Sequence, residues 1–222
     1  MISIVFCLPG RIFSDNFLNS WSSLLSHCNE FSVKPYLRLA HSNNIYMVRN
    51  KCLAGEHNGD INQKPFDGKI DYDYIMWIDS DNVFTAKHFK ELLDRIESNK
   101  KMDILAGLYL AEDRERYLAH YLPDQKFRKF KSEFIKPEHL KDLPNEPFPV
   151  LFSGMGFMIV RYGVFEKLEY PWFEPYTLEQ SGGKRDVVGD DASFCLKAKD
   201  AGFKTFIDPR IVVGHEKPVI LI

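Results

Sequence analysis

The sequence predicts an α/β fold built on an open, mostly parallel mixed sheet flanked by helices. Three observations predict it. Short apolar runs alternate with helical apolar repeats up to about residue 108, the pattern of strand–helix–strand units. The later strands are short and irregularly spaced, which makes the sheet mixed rather than purely parallel. At 222 residues the chain suits one sizeable α/β domain and is short for two.

The elements follow in order. Residues 2–8 carry Ile4-Val5-Phe6-Cys7-Leu8, a buried strand ended by Pro9-Gly10. Ser14 or Asp15 can cap a helix whose inner face is Phe17, Trp21, Leu24 and Leu25. A second strand is predicted over 33–39 and a short helix over 45–54. Residues 55–70 are rich in Gly, Asn, Asp and Pro and are expected to loop. The third strand, 74–78, is apolar throughout. Thr85 then caps a helix presenting Phe89, Leu92, Leu93 and Ile96, followed by a strand over 102–108.

Residues 109–149 are polar and aromatic and contain Pro123, Pro137, Pro144, Pro147 and Pro149. They lack the apolar residues for a core of their own, so an insertion beside the site is expected. A strand over 151–160 contains Gly154 and Gly156 around Met155. Residues 169–188 are expected to be a long loop. A helix over 190–201 stops at Gly202, a favourable residue just past a helix end. Two short strands, 204–207 and 210–213, close the pattern.

Composition excludes several classes. Net charge is −2, so no global basic field suits nucleic acid. The basic stretch 126–131 (KFRKFK) reads as solvated surface. The apolar runs at 4–8 and 219–222 are too short for a signal-peptide core or a membrane span, so a cytoplasmic protein is expected. The four cysteines are scattered with no CxxC spacing, which predicts reduced, buried thiols and no zinc site.

The chemistry centres on Asp79-Ser80-Asp81, at the carboxyl end of the third strand, where parallel sheets carry their sites. With 17 Asp in the chain about one DxD triplet is expected by chance, so position matters more than occurrence. Two carboxylates there make a hard-oxygen site for Mg²⁺ or Mn²⁺, suited to a phosphate-bearing substrate. A polar turn explains the triplet equally simply. Asp190 and Asp191 follow Gly189 at a helix start. They complement the helix dipole there, and a general-base role is open beside it. His215, in Gly214-His215-Glu216-Lys217, can add an imidazole ligand to the same cation.

Asp79-Ser80-Asp81-Asn82-Val83 also resembles the DxDx(T/V) nucleophile motif of haloacid-dehalogenase-like phosphatases. That family calls for a later GDxxxD or DD motif. Four residues beyond Asp190 and Asp191 stand Phe194 and Cys195 instead. An inactive sugar- or nucleotide-binding module is the third reading.

Four segments together resemble a GT-A glycosyltransferase of the family-2-like type, in particular small single-domain enzymes encoded by phages. They are the strand into Pro9-Gly10-Arg11, then Val48-Arg49-Asn50, then WIDSDNVF at 77–84. The fourth is the C-terminal pair SGMGFMIV at 153–160 and GDDASFCLKAKDAGFKTFIDPRIVVGHE at 189–216. The resemblance implies a single GT-A-like domain over 1–222. Residues 1–108 would be a Rossmann-like nucleotide-sugar-binding half, and 150–222 would complete the acceptor and metal sites. It implies transfer of a hexose from a UDP- or GDP-sugar to a glycan or other hydroxyl acceptor, with Mn²⁺ or Mg²⁺. Asp81 and His215 would hold the metal, with Asp79 on the ribose or on the metal through water. Pro9, Gly10, Arg11, Arg49 and Ser80 would line the nucleotide. Gly154, Met155 and Gly156 would let sugar or acceptor approach the backbone closely. Apart from the resemblance, the loop aromatics Tyr109, Trp172, Phe173 and Tyr176 could stack on a sugar face, with local packing the favoured reading of any one of them. Asp191 matches the base of inverting members, with Asp190 where the family often has Glu. If phage-encoded, the enzyme would work in the host cytoplasm.

Overall fold

A computed structural model of the chain describes residues 1–55, 58–125, 133–179, 183 and 185–218. The chain opens with strand β1 (Ile2–Pro9), helix α1 (Asp15–His27), β2 (Val33–Ala40) and α2 (Ile45–Cys52). β3 (Tyr74–Ile78), β4 (Asn82–Val83), α3 (Ala86–Ser98) and β5 (Ile104–Leu108) follow. Next come β6 (Ala119–His120), β7 (Phe148–Val150), β8 (Phe152–Ser153), β9 (Phe157–Arg161) and the short α4 (Val164–Lys167). The hairpin β10 (Tyr176–Glu179) and β11 (Arg185–Val188) precedes α5 (Asp190–Asp200), β12 (Thr205–Val212) and β13 (Gly214–His215).

Seven strands form the central sheet in the order β2-β1-β3-β9-β5-β12-β7. β1 runs parallel to β2 and β3, and β5 parallel to β12. β9 runs antiparallel between β3 and β5, and β7 antiparallel at the far edge. The sheet is mixed but mostly parallel, as expected. β3 is covered on both faces, which is why its sequence is unbrokenly apolar. Val5, Cys7, Ile75 and Trp77 point to one core, and Ile4, Phe6, Met76 and Ile78 to the other, the period of two that a strand imposes. Phe17 and Leu24 of α1 and Phe89, Leu92, Leu93 and Ile96 of α3 fill the second core. Cys52 of α2 and Phe194, Cys195 and Ala198 of α5 fill the first.

The predicted caps form. Ser14 Oγ accepts from Phe17 N at 3.1 Å, and Thr85 Oγ1 from His88 N at 3.2 Å. Gly202, with φ 94°, follows α5 in the left-handed region. All four cysteines are free and buried.

Several expectations change. Leu25 is 41% exposed, because it lies about 100° around the helix from buried Leu24. The strand expected over 151–160 splits into β8 and β9. Between them Gly154 N bonds Leu118 O at 2.6 Å, continuing the β6–β8 pairing, and Gly156 N bonds the Tyr109 hydroxyl at 2.8 Å. The strands expected at 204–207 and 210–213 are one strand, β12, whose register shifts between Ile207 and Val212. The loop expected over 169–188 contains the β10–β11 hairpin. Residues from 109–149 do not stay outside the core, since Tyr117, Ala119, Tyr121 and Ile135 are buried in it and β7 edges the sheet. The segments 126–131 and 219–222 lie outside the described residues. Among those described, no helix is long and apolar enough to cross a membrane.

Candidate active site

β1 and β3 are adjacent and parallel, with Cys7 opposite Trp77. Pro9-Gly10-Arg11 and Asp79-Ser80-Asp81 therefore leave the sheet side by side. Their approach is close. A Cβ on Gly10 would lie 2.7 Å from both Cβ and Oγ of Ser80, so only glycine fits. These six residues line a cleft of about 290 Å³, with His41, Ser42 and Asn43 after β2 and Ile45 and Val48 of α2 on the opposite wall.

Arg49 was expected to line the nucleotide, and it does not line this cleft. It is 3% exposed, behind the DxD turn. Its Nη1 and Nη2 donate to Asp79 Oδ1 and Oδ2 at 2.6 and 3.0 Å, and its Nε donates to Asp190 Oδ2 at 2.9 Å. Burial opposes the charge, but the two carboxylates hold the guanidinium firmly protonated, well above its ordinary value. The next residue, Asn50, bonds Phe173 O and N at 2.8 and 3.2 Å and ties α2 to the loop before β10. Arg49 donates to both oxygens of Asp79, which stabilises the carboxylate and weakens it as the attacking nucleophile the phosphatase reading needs.

Asp81 meets His215 through a pairing that joins distant parts of the chain. β4 and β13 run antiparallel, with His215 opposite Asn82. Glu216 N donates to Asp81 O at 2.7 Å, and Ser14 donates its hydroxyl to Glu216 Oε2 at 2.6 Å. His215 Nδ1 lies 2.6 Å from Leu110 O. A carbonyl only accepts, so Nδ1 carries hydrogen and Nε2 is directed at Asp81 Oδ2, 3.3 Å away. Lys217 Nζ donates to the same oxygen at 2.7 Å. Burial pushes the Asp81 carboxyl up, but bonds from His215 and Lys217 outweigh it and bring it to about 2. Burial likewise opposes the imidazolium of His215, while Asp81 and the Leu110 carbonyl raise its pKa.

At the start of α5 the two acids part company. Asp190 is held by Arg49. Asp191 Oδ1 accepts from Ala192 N at 2.7 Å. Burial first, then the charge of Asp190, lifts the Asp191 carboxyl to about 6. A carboxylate that exchanges protons near neutral pH suits general-base chemistry.

The expected sugar-facing group is arranged differently. Met155 and Trp172 are fully buried, and Trp172 Nε1 donates to Phe165 O at 3.1 Å. Both pack the core and offer no face to a ligand. The space beside Gly154 and Gly156 is already filled. A Cβ on Gly154 would strike the Tyr109 hydroxyl, and one on Gly156 would strike Asn82 Oδ1. Tyr109 in turn packs edge-on against His215, centroids 5.1 Å apart. The glycines thus make room for a support beneath the histidine.

A divalent cation fits Asp81 and His215. Without a proton or cation between them, Nε2 and the carboxylate would be two acceptors face to face. Nδ1 is engaged by a carbonyl, as the other ring nitrogen of a metal-bound imidazole commonly is. Both oxygens of Asp79 already accept from Arg49, which makes it the poorer direct ligand of the two aspartates. Among the described residues no group of three or more His, Cys, Asp or Glu side chains could hold a metal ion. Further ligands would have to be substrate oxygens and water, as Mg²⁺ commonly has.

Sequence reasoning missed His41, Ser42, Asn43 and Lys217, and singled out Tyr109 only as a loop aromatic that could stack on a sugar. The first three had a signal, since they follow the strand predicted beside β1. Lys217 had none beyond its nearness to His215.

No protein-family model matches the chain. No curated protein matches it in sequence. Among solved structures it resembles protein A197 from STIV, with a TM-score of 0.55 at 14% identity, covering 100% of this chain and 97% of that one. It resembles GalNAc-T7, crystallised with UDP, GalNAc and Mn²⁺, with a TM-score of 0.56 at 12% identity. There it covers 98% of this chain and 44% of that one, so it spans less than half of that enzyme. The catalytic domain of Drosophila β1,4-galactosyltransferase 7, in complex with xylobiose, matches with a TM-score of 0.51 at 13% identity over 98% of this chain and 72% of that one. At these identities the likeness establishes the fold, which is that of GT-A glycosyltransferases.

Proposed function

We propose that the chain transfers a sugar from a nucleoside-diphosphate sugar, a UDP- or GDP-sugar, to a hydroxyl acceptor, with Mn²⁺ or Mg²⁺ held by Asp81 and His215. The observation that carries this reading is the β4–β13 pairing, which sets an imidazole against the second DxD carboxylate at the wall of the cleft. The neighbours add support. GalNAc-T7 was crystallised with UDP and Mn²⁺, and the Drosophila galactosyltransferase with manganese and UDP-Gal. Among GT-A enzymes, the motif order at 48–50, 77–84 and 189–216 resembles the family-2-like type.

In this reading the nucleotide lies along Pro9, Gly10, Arg11 and Ser80, with Arg11 adding positive charge to the wall. The cation would offset charge building on the departing diphosphate. Asp191 takes the proton from the acceptor hydroxyl as its oxygen bonds to the sugar. Asp190 does not share that task. It anchors α5 to Arg49 and so holds Asp191 against the DxD turn. Tyr109, Gly154 and Gly156 keep His215 in position from behind.

A thermal-shift panel of UDP, GDP and CDP with and without Mn²⁺ tests the reading. It predicts that one nucleoside diphosphate raises the melting temperature only with metal present. Equal response to all three, or none to any, would argue against it.

A further inference from the structure

The cation side of Asp81 is occupied by a side chain that the proposed reaction does not use. Lys217 Nζ bonds Asp81 Oδ2 at 2.7 Å, the same oxygen that faces His215 Nε2. The two ends of Lys217 differ in freedom. Its backbone is anchored next door, where Glu216 bonds both Asp81 O and the Ser14 hydroxyl. Its side chain is 36% exposed and belongs to no helix or strand. The ammonium can therefore leave Asp81 by bond rotation alone.

We propose that Lys217 is a resident counter-ion of the Asp81–His215 pair, displaced when a divalent cation binds and then donated to the diphosphate. This rests on the glycosyltransferase reading above. An ammonium and a divalent ion on one carboxylate oxygen repel each other at such range, so each opposes the other's binding there. Metal entering without diphosphate must break the Lys217–Asp81 pair and leave Lys217 unpaired beside a like charge. Metal entering with diphosphate would instead offer the flexible ammonium a new anionic partner. Each ligand then strengthens binding of the other, by reciprocal linkage.

The charge pattern supports a role for Lys217 rather than a chance surface contact. Arg49 neutralises Asp79 and Asp190 from behind, and Asp81 faces the cleft with Lys217 and His215 on one oxygen. Lys217 is thus the mobile member of an otherwise fixed set.

Titration calorimetry of Mn²⁺ into the full chain, alone and with UDP or GDP present, tests this. Lys217→Met is expected to bind Mn²⁺ alone about tenfold more tightly than the wild type and to lose most of the metal–nucleotide coupling. Lys217→Arg, which keeps the charge, is expected to behave as wild type. Unchanged Mn²⁺ affinity and coupling in a Lys217→Met protein that melts like the wild type would overturn the proposal and leave the glycosyltransferase reading standing. Absence of any metal-dependent nucleotide binding by the wild type would overturn both.

Discussion

Arg49 grips Asp79 with both arms of its guanidinium, at 2.6 and 3.0 Å, and its remaining Nε reaches Asp190 at 2.9 Å. One buried side chain thereby fixes the DxD turn after β3 and the first residue of α5. The planar fork of arginine matches this task, and lysine would not. The same contact engages the first aspartate of the triplet from behind, while the second meets His215 and Lys217.

Replacing Arg49 should be costly. Arg49→Met leaves two carboxylates, only 25% and 15% exposed, without their cation. Loss of about 3 kcal/mol is expected, as for other broken buried pairs. Arg49→Lys should recover part of it but not the two-pronged bond. Urea unfolding of the three proteins checks the order.

Gly156→Ala should destabilise the chain by about 1–3 kcal/mol, as overpacking does. The added methyl would strike Asn82 Oδ1 and lie 2.9 Å from Tyr109 Cζ. Because Tyr109 packs on His215, metal-dependent nucleotide binding should weaken along with the melting temperature. Lower stability with unchanged metal binding would detach the glycine from the site.

Asp191 predicts a pH dependence. As a base it must be ionised, and its carboxyl is raised to about 6. Transfer should therefore fall as pH drops through about 6. For stability the sign is opposite to that of a salt-bridged acid. A folded pKa above the unfolded value of about 3.9 means that ionisation opposes folding, so this group's contribution is present below pH 4 and is lost by pH 6 and above. Asp191→Asn should thus melt at least as high as the wild type at pH 7, with any advantage gone below pH 4. Melting curves at both pH values decide it.

Much of this was legible in the sequence. Strands buried on both faces read as unbroken apolar runs, so β1 and β3 were plain, and their carboxyl ends located the cleft. The caps Ser14 and Thr85 were legible because capping is local. What was not legible depends on tertiary pairing. Asn82 and His215 become neighbours only when β4 meets β13, and nothing local marks either as a strand. Trp172 looked like a loop aromatic, but that loop is pinned to α2 by Asn50 and the ring turns into the core. Arg49 looked like a ligand residue, and its two acidic partners lie in distant segments. The glycines at 154 and 156 were recognised as sites of close approach, though the approaching groups are Tyr109 and Asn82.

The central claim is that Asp81 holds the donor through a cation while Asp191 drives transfer. The most direct measurement is metal-dependent release of nucleoside diphosphate from its sugar donor, read beside donor binding, in wild type, Asp81→Ala and Asp191→Asn. The account predicts that Asp81→Ala loses metal-dependent donor binding and turnover together. It predicts that Asp191→Asn binds donor with metal as the wild type does and turns over at least about a hundredfold more slowly. Wild-type turnover in either variant would contradict it.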